Sequence, residues 1–431
     1  MNSDNYGLKD FMSLGGKDVF GKAYTFAQYL LDMRKKDFDT YSVAMNTSSS
    51  NRVNMAARGT QVQRDMIMLG SNNYLGLTTH PRVLAACHAA LDKYGSASGG
   101  PSLLAGTYDI HKTLEARIAA FKGTEDAILF PSGYAANVGT IGALVGPGQA
   151  AVLDQCCHAS IIDGATLSQG DTLFFRHNNA DHLDDVLRKS KSKYESALVV
   201  VDGVYSTTGT LADLPELVRV CRAHNARLLV DDAHATGVVG PTGRGTAEVF
   251  GLENEVDMVV GTLNKALAGM GGFAAGPRKV IDYIRFYGRS QFFSTMIPPV
   301  SAAGILEAIE IVDDEPERLK RLWKNTTFLR DGLTSLGFDL GDTQSPILPV
   351  MVGPEIIMRR FNRDLYSKGV YASAIPYPAV PKNKARIRLS VNANLTENDL
   401  QSTLEAMECI GKKLELIPER IQDPSLNSTS R

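Results

Sequence analysis

ALVVVDGVYSTTG (197–209), followed by RLLVDDAHATG (227–237) and DMVVGTLNKALAGMGG (257–272), is the stretch on which the fold turns. Each segment opens on an apolar run too short for a buried helix and closes that run on Asp or Gly. Runs of this kind are strands covered on both faces of a sheet. Asp202, Asp231 and Gly261 close successive strands 29 and 30 residues apart, about one βα unit each. LPELVRVCRAHNA (214–226) supplies an amphipathic helix between the first two. AILF (127–130) and AVLD (151–154) upstream, and GFAAG (272–276) downstream, repeat the texture. The chain is therefore expected to be α/β with a mostly parallel sheet. In such sheets ligands sit beyond the carboxyl ends of the strands, so the polar residues ending these runs should converge on one site.

Further out, the pattern changes. Long helices are expected over 300–313 and 315–336, strands near ILPVMV (347–352) and ARIRLSV (385–391), and a closing helix near 397–415. This predicts a lead-in over 1–65, a large α/β domain over 66–298, a smaller α+β domain over 299–417 and a polar tail over 418–431. The lead-in has helical periodicity from Tyr24 to Phe38 and then a loop, NTSSSN (46–51). Composition removes several function classes. With 45 basic against 47 acidic residues there is no surplus to neutralise a nucleic-acid backbone. No apolar run approaches the ~18 residues that span a bilayer. The start, MNSDNYGLKD, lacks a secretory pattern, and five scattered cysteines favour a reducing cytoplasm over a disulfide scaffold. A 431-residue chain of globular composition reads as an enzyme.

Three segments carry chemistry. Lys265 stands on a Gly-rich turn just past a strand, where its amine can form a Schiff base if burial depresses its pKa; alone, a solvated surface lysine fits equally well. Asp231 and His234, in VDDAH (230–234), set a carboxylate and an imidazole around one point. PSGYAAN (131–137) follows a strand and opens a helix, the usual seat of a phosphate. Each signal is weak. Together, a phosphate seat, a strand-end acid, an imidazole and a lysine describe a pyridoxal-phosphate site, because the aldehyde needs a lysine, the ring nitrogen an acid and the phosphate N–H donors. Two other motifs are set aside. Cys156-Cys157-His158 lacks a second Cys/His cluster to complete a zinc tetrahedron, so no metal is expected. GKDVFGKA (16–23) mimics a P-loop but has no hydroxyl residue after Lys22 and follows no strand.

Over residues 68–410 the sequence resembles the α-oxoamine synthases among fold-type I pyridoxal-phosphate enzymes. SNNYLGLTTHP (71–81), YGSASGGPSLLAGT (94–107), PSGYAAN, HASIIDGA (158–165), VYSTTG (204–209), VDDAHATGVVGPTGRG (230–245), GTLNKALAGMGG, FFSTMIPP (292–299) and ARIRLSVNA (385–393) are similar to that family's blocks, in order. The resemblance implies that Lys265 binds the cofactor covalently and later carries a proton, and that Asp231 pairs with the ring nitrogen. His158 and Ala233 would lie against the two ring faces, and His234 would bond the phenolic oxygen. Ser132, Gly133, Tyr134 and Thr262 would hold the phosphate, with Ser294 and Thr295 reaching it from the partner chain of a homodimer. Asp202 and Ser206 complete the implied cofactor set, although Ser206 fits a plain turn residue equally well. Arg388, helped by Asn72, would bind the amino acid carboxylate.

The implied reaction is a decarboxylative Claisen-type condensation of an amino acid with an acyl thioester, on CoA or an acyl carrier protein. It releases the thiol and CO₂ and yields an α-amino ketone. Several positions depart from the pattern: Asp202 where many members have Glu, Pro101-Ser102 in place of Ser-Arg, Asn264 before the lysine, and AIPYPAVP (374–381) without the arginine of an RPP motif. These changes bear on the substrate pocket. The lead-in and HASIIDGA are similar to bacterial serine palmitoyltransferases, while VVVDGVYSTTG and PKNKARIR look like amino-ketone autoinducer synthases and glycine acetyltransferase. L-serine with a long-chain acyl-CoA is the leading expectation. A shorter-chain relative, including an oxononanoate synthase, or a fold-type I aminotransferase, is the alternative.

Overall fold

The computed structural model describes residues 4, 6–12, 14–15, 18–39, 41–56 and 63–418; the expected polar tail lies outside them apart from Pro418. Its strands in chain order are β1 (Arg52–Ala56), β2 (Gln63–Met68), β3 (Asp126–Phe130), β4 (Gln149–Asp154), β5 (Asp171–Phe175), β6 (Ser196–Asp202), β7 (Arg227–Asp231), β8 (Met258–Thr262), β9 (Gly272–Gly276), β10 (Ile347–Gly353), β11 (Val370–Tyr371), β12 (Ser373–Ile375) and β13 (Ala385–Ser390). Seven of them form the central sheet, in the order β3-β9-β8-β7-β6-β4-β5. The run β8 to β5 is parallel. Only β9 runs against its neighbours, pairing antiparallel with both β3 and β8. A small antiparallel sheet, β10-β13-β12, and the sheet β1-β2-β11 flank it.

The unbroken apolar runs have a direct cause. Successive strand side chains point to opposite faces, and both faces here are covered. Val199 and Val201 pack with Leu214, Leu217 and Val218 of the helix Leu214–Ala223. Val200, between them, packs with Ala136 and Ile141 of the helix Gly133–Leu144 on the other side. All three valines are fully buried, and each such burial stabilises the fold by roughly 1.5–3 kcal/mol. A single apolar cluster then runs from Leu114 and Phe273 through Ile305 and Ile309 to Leu348 and Ile387 in the small sheet.

The helices Pro299–Asp314, Pro316–Leu336 and Glu397–Lys413 fall within two residues of the expected spans. The lead-in helix runs from Gly21 to Lys35, three residues earlier than the periodicity suggested at both ends. β5 was not anticipated. It lies at the sheet edge and is half exposed, so DTLFF carries no continuous apolar signal. The reversal of β9 was equally invisible, since GFAAG reads the same in either direction of pairing. No helix among the described residues is long and apolar enough to cross a membrane.

Register places the chemistry. Asp202 and Asp231 are direct partners at the ends of β6 and β7, which sets two carboxylates side by side at the carboxyl edge. The next residue, Asp232, turns away into the body. Its backbone N–H donates to Val260 O, and its carboxylate accepts from Lys122 Nζ at 3.0 Å and from Thr246 Oγ1 at 2.8 Å. A Cβ at Gly245 would sit 2.0 Å from Asp232 Oδ2 and one at Gly203 2.3 Å from Oδ1. Both glycines are therefore required for the carboxylate to be enclosed. This buried pair anchors the turn that carries Asp231 and His234.

Candidate active site

Ten of the residues singled out from sequence line one cavity of about 280 Å³: Ser132, Gly133, Tyr134, His158, Asp202, Asp231, Ala233, His234, Thr262 and Lys265. At one end lies the N-terminus of the helix Gly133–Leu144. Ser132 is its N-cap, and its side chain accepts from Ala135 N. The Gly133 and Tyr134 N–H groups open the helix with no acceptor among the described residues. A Cβ on Gly133 would come within 2.8 Å of Thr262 Cβ, and one on Gly272 within 2.4 Å of Ser132 O. The two glycines thus allow three chain segments to close around the helix end, leaving N–H donors and the Thr262 hydroxyl facing the same point. That arrangement fits the phosphate of pyridoxal phosphate. Tyr134 turns its hydroxyl outward to Asp163.

In the centre, Asp231 accepts on both oxygens, from Ala233 N at 2.9 Å and from Asn137 Nδ2 at 2.6 Å. It therefore faces the cavity as an oriented acceptor, suited to a ring N–H. Asp202 accepts the His158 N–H at 3.1 Å; burial, and then the adjacent Asp231, raise its pKa well above the ordinary carboxylate range. The two partnered acids thus divide their roles, with Asp202 held toward its neutral form. Lys265 is half-buried, and burial lowers its ammonium from 10.5 to about 8 against the opposing pull of Asp231, with Arg388 adding to the drop. The solvated-lysine reading is excluded, and an amine poised near neutrality remains.

His234 shows a partner the sequence reading missed. Tyr74 Oη lies 2.7 Å from its Nδ1, both side chains buried. Burial raises the Tyr74 phenol, so it stays protonated; burial, then Lys265 and Arg388, hold the imidazole well below its usual value. His234 is therefore held toward its neutral form, with the Tyr74 hydroxyl against its Nδ1 edge. Asn137 and Ser160 were missed as well, although they stand inside the quoted PSGYAAN and HASIIDGA blocks. Asn264 Oδ1 accepts from the Thr262 hydroxyl at 2.6 Å. Only the fold shows that Asn137 and Ser160 turn inward.

Arg388, on β13, reaches the same region from the small sheet. Nη1 donates to Ser206 O and Nη2 to Asn72 Oδ1, both at 3.2 Å, while Nε is buried with no partner among the described residues. Ser206 thus contributes its carbonyl, as the turn residue of the bland reading. Ser294 and Thr295 do not line this chain's cavity. Nor do they cap the following helix, whose N-cap is Pro298 with no side-chain bond. Asp154, Cys156 and His177 come together beside the site, but the Asp154 carboxylate already accepts from Cys156 N, Asn178 N and His177 Nδ1. The group is a clamp joining the ends of β4 and β5.

The sequence profile of the aminotransferase class I and II family matches residues 64–407. An 8-amino-7-oxononanoate synthase of Thermoanaerobacter pseudethanolicus is 42% identical over 82% of this chain and 90% of its own length. A solved serine palmitoyltransferase of S. paucimobilis, holding a pyridoxal-phosphate adduct, superposes with a TM-score of 0.88 at 33% identity over 93% of this chain and all of that one. The Sphingomonas wittichii serine palmitoyltransferase does so with the same TM-score at 34% identity. A cavity lined by a phosphate seat, an acid, an imidazole and a lysine thus lies in a chain similar to oxononanoate synthases and serine palmitoyltransferases. The chain belongs to the aminotransferase class I and II family and, within it, to the α-oxoamine synthases, fold-type I acyltransferases that depend on pyridoxal phosphate.

Proposed function

We propose that the chain condenses an amino acid with an acyl thioester, forming an α-amino ketone with release of CO₂ and the thiol, and that L-serine with a long-chain acyl-CoA is its pairing. The observation that carries the amino acid is Arg388, whose Nε is buried without an acceptor among the described residues. An unmet charged donor is costly, and a substrate carboxylate supplies the missing acceptor. Pyridoxal phosphate, when bound, accepts the electron pair left on the amino acid α-carbon. The chain's own residues do the rest. Asp231 would hold a proton on the ring nitrogen, His234 would meet the phenolic oxygen, and His158 and Ala233 would lie against the two ring faces. Lys265 Nζ, poised near pH 8, takes the α-proton and returns one to the product.

A second reading has its own support. The relatives named 8-amino-7-oxononanoate synthase carry a name that describes an amino ketone ending in a carboxylate, which favours another amino acid and a shorter acyl group. A panel of amino acids against acyl-CoAs of graded length, read by thiol release and product mass, separates the two. Release of a keto acid from an amino acid alone would instead identify an aminotransferase.

Arg388→Ala is expected to raise the amino acid KM roughly ten- to a hundred-fold, because a charge-assisted hydrogen bond contributes about 1.5–3 kcal/mol. An unchanged KM places the carboxylate elsewhere.

The working unit we propose is a homodimer with shared sites. Ser294 and Thr295 are half-buried and exposed, and make no cap, which leaves their hydroxyls for a partner's phosphate. Mixing an inactive Lys265→Ala chain with a chain inactivated at Ser294 and Thr295 should restore activity, since some heterodimers then hold one intact site. No recovery after demonstrated subunit exchange would reject the shared site.

A further inference from the structure

Behind the cavity, one amide touches both the acid and the imidazole. Asn137 Nδ2 donates to Asp231 Oδ2 at 2.6 Å and to Ser160 Oγ at 2.9 Å. Ser160 Oγ lies 2.7 Å from His158 Nδ1, and the Ser160 backbone N–H points at the same nitrogen from 3.3 Å. The backbone donor points to one assignment of donor and acceptor roles. A backbone N–H can only donate, so Nδ1 carries no proton, and the Ser160 hydroxyl must donate to it as well. The hydroxyl oxygen then accepts from Asn137, whose nitrogen is fixed in orientation by the acceptor-only Asp231. Asn137 Oδ1 is left buried without a partner among the described residues. An amide held at a buried position with its oxygen unmet is held there for its nitrogen.

We propose that Asn137 and Ser160 are positioning residues for His158: a chain of donated hydrogen bonds, from the Asn137 amide through the Ser160 hydroxyl to Nδ1, holds the imidazole as its Nε2–H tautomer and turns that N–H to the cavity. His158 makes no bond through Nε2 to the described chain, so this edge serves the occupant of the site. The charged groups facing the ring are Asp231, Lys265 and Asp163, with Asp202 accepting its backbone N–H. Burial, aided by Lys265, outweighs the two acids and lowers the imidazole pKa, which favours the neutral ring and makes the tautomer matter. Through Asn137, the residue opposite the ring nitrogen and the residue against the ring face are aligned by one side chain.

The inference rests on the proposed cofactor seat and not on which acyl group is used. Holoenzyme labelled with [¹⁵N]histidine, with His158 assigned through a His158→Asn variant, should show a bare Nδ1 and a protonated Nε2. This measurement needs no turnover, so its failure and the failure of the reaction reading are separate results. Ser160→Ala should lower kcat about ten-fold, the loss of one hydrogen bond, with amino acid KM and the cofactor's absorption unchanged; Ser160→Thr should restore the rate. Asn137→Ala should lower kcat by at least as much and also shift the cofactor band, because Asp231 loses a donor. The double variant should lose less than the sum of the two single losses, since both members act through one ring. A protonated Nδ1 in the wild type, a wild-type rate in Ser160→Ala, or additive losses in the double variant would each overturn the proposal.

Discussion

Lys265→Ala leaves a folded chain that binds no cofactor covalently and turns over roughly 10²–10⁴-fold more slowly, or not at all, because the group that carries the proton is gone. Wild-type holoenzyme should be yellow and, after borohydride reduction, should carry its cofactor on the peptide containing Lys265. Recovery of the label on another lysine would sink the assignment. A second consequence concerns the cofactor-free chain. Lys265 is lowered in the folded state from 10.5 to about 8, so between those values the unfolded chain binds more protons and stability rises with pH. Below about pH 8 the amine is charged in both states and the full burial cost applies, about 3 kcal/mol at 1.36 kcal/mol per unit. Lys265→Met should therefore stabilise the cofactor-free protein at pH 7, and that gain should vanish above about pH 10.5. Parallel denaturation curves at several pH values test this, and a gain independent of pH would show that the lysine is not buried as described.

Lys122→Met should be the most destabilising single change outside the cavity. It would strand Asp232 as a buried carboxylate facing only Thr246 and backbone donors. Removing one partner of such a pair costs about 3–5 kcal/mol. The loss should reach the site as well, since Asp232 lies between the strand end at Asp231 and the turn at His234. Cofactor affinity should thus fall along with the denaturation midpoint. Adding Asp232→Asn to Lys122→Met should recover part of the stability, because no uncompensated charge then remains. A destabilisation under about 1 kcal/mol in the single variant, read from denaturant midpoints of the cofactor-free protein, would contradict the account.

Strand texture, spacing and the residues that end each strand were present in the chain by itself. ALVVVD, RLLVDD and DMVVG are one-dimensional signals, because a strand buried on both faces must be apolar at every position. The lysine, the acid, the imidazoles and the helix-opening Ser-Gly were legible for a related reason: each belongs to a residue type that its chemistry demands, placed at a strand end. Other features depended on neighbours that no local pattern encodes. The edge strand Asp171–Phe175 is half exposed, and the reversal of Gly272–Gly276 depends on pairing across 142 or more residues to Phe130. Tyr74, Asn137 and Ser160 are ordinary side chains in sequence. They acquire a role because the fold brings Tyr74 to His234, 160 positions away, and Asn137 to Asp231, 94 positions away. Which residues carry the chemistry was written in the chain; how each imidazole is held was decided only by the side chains packed behind it.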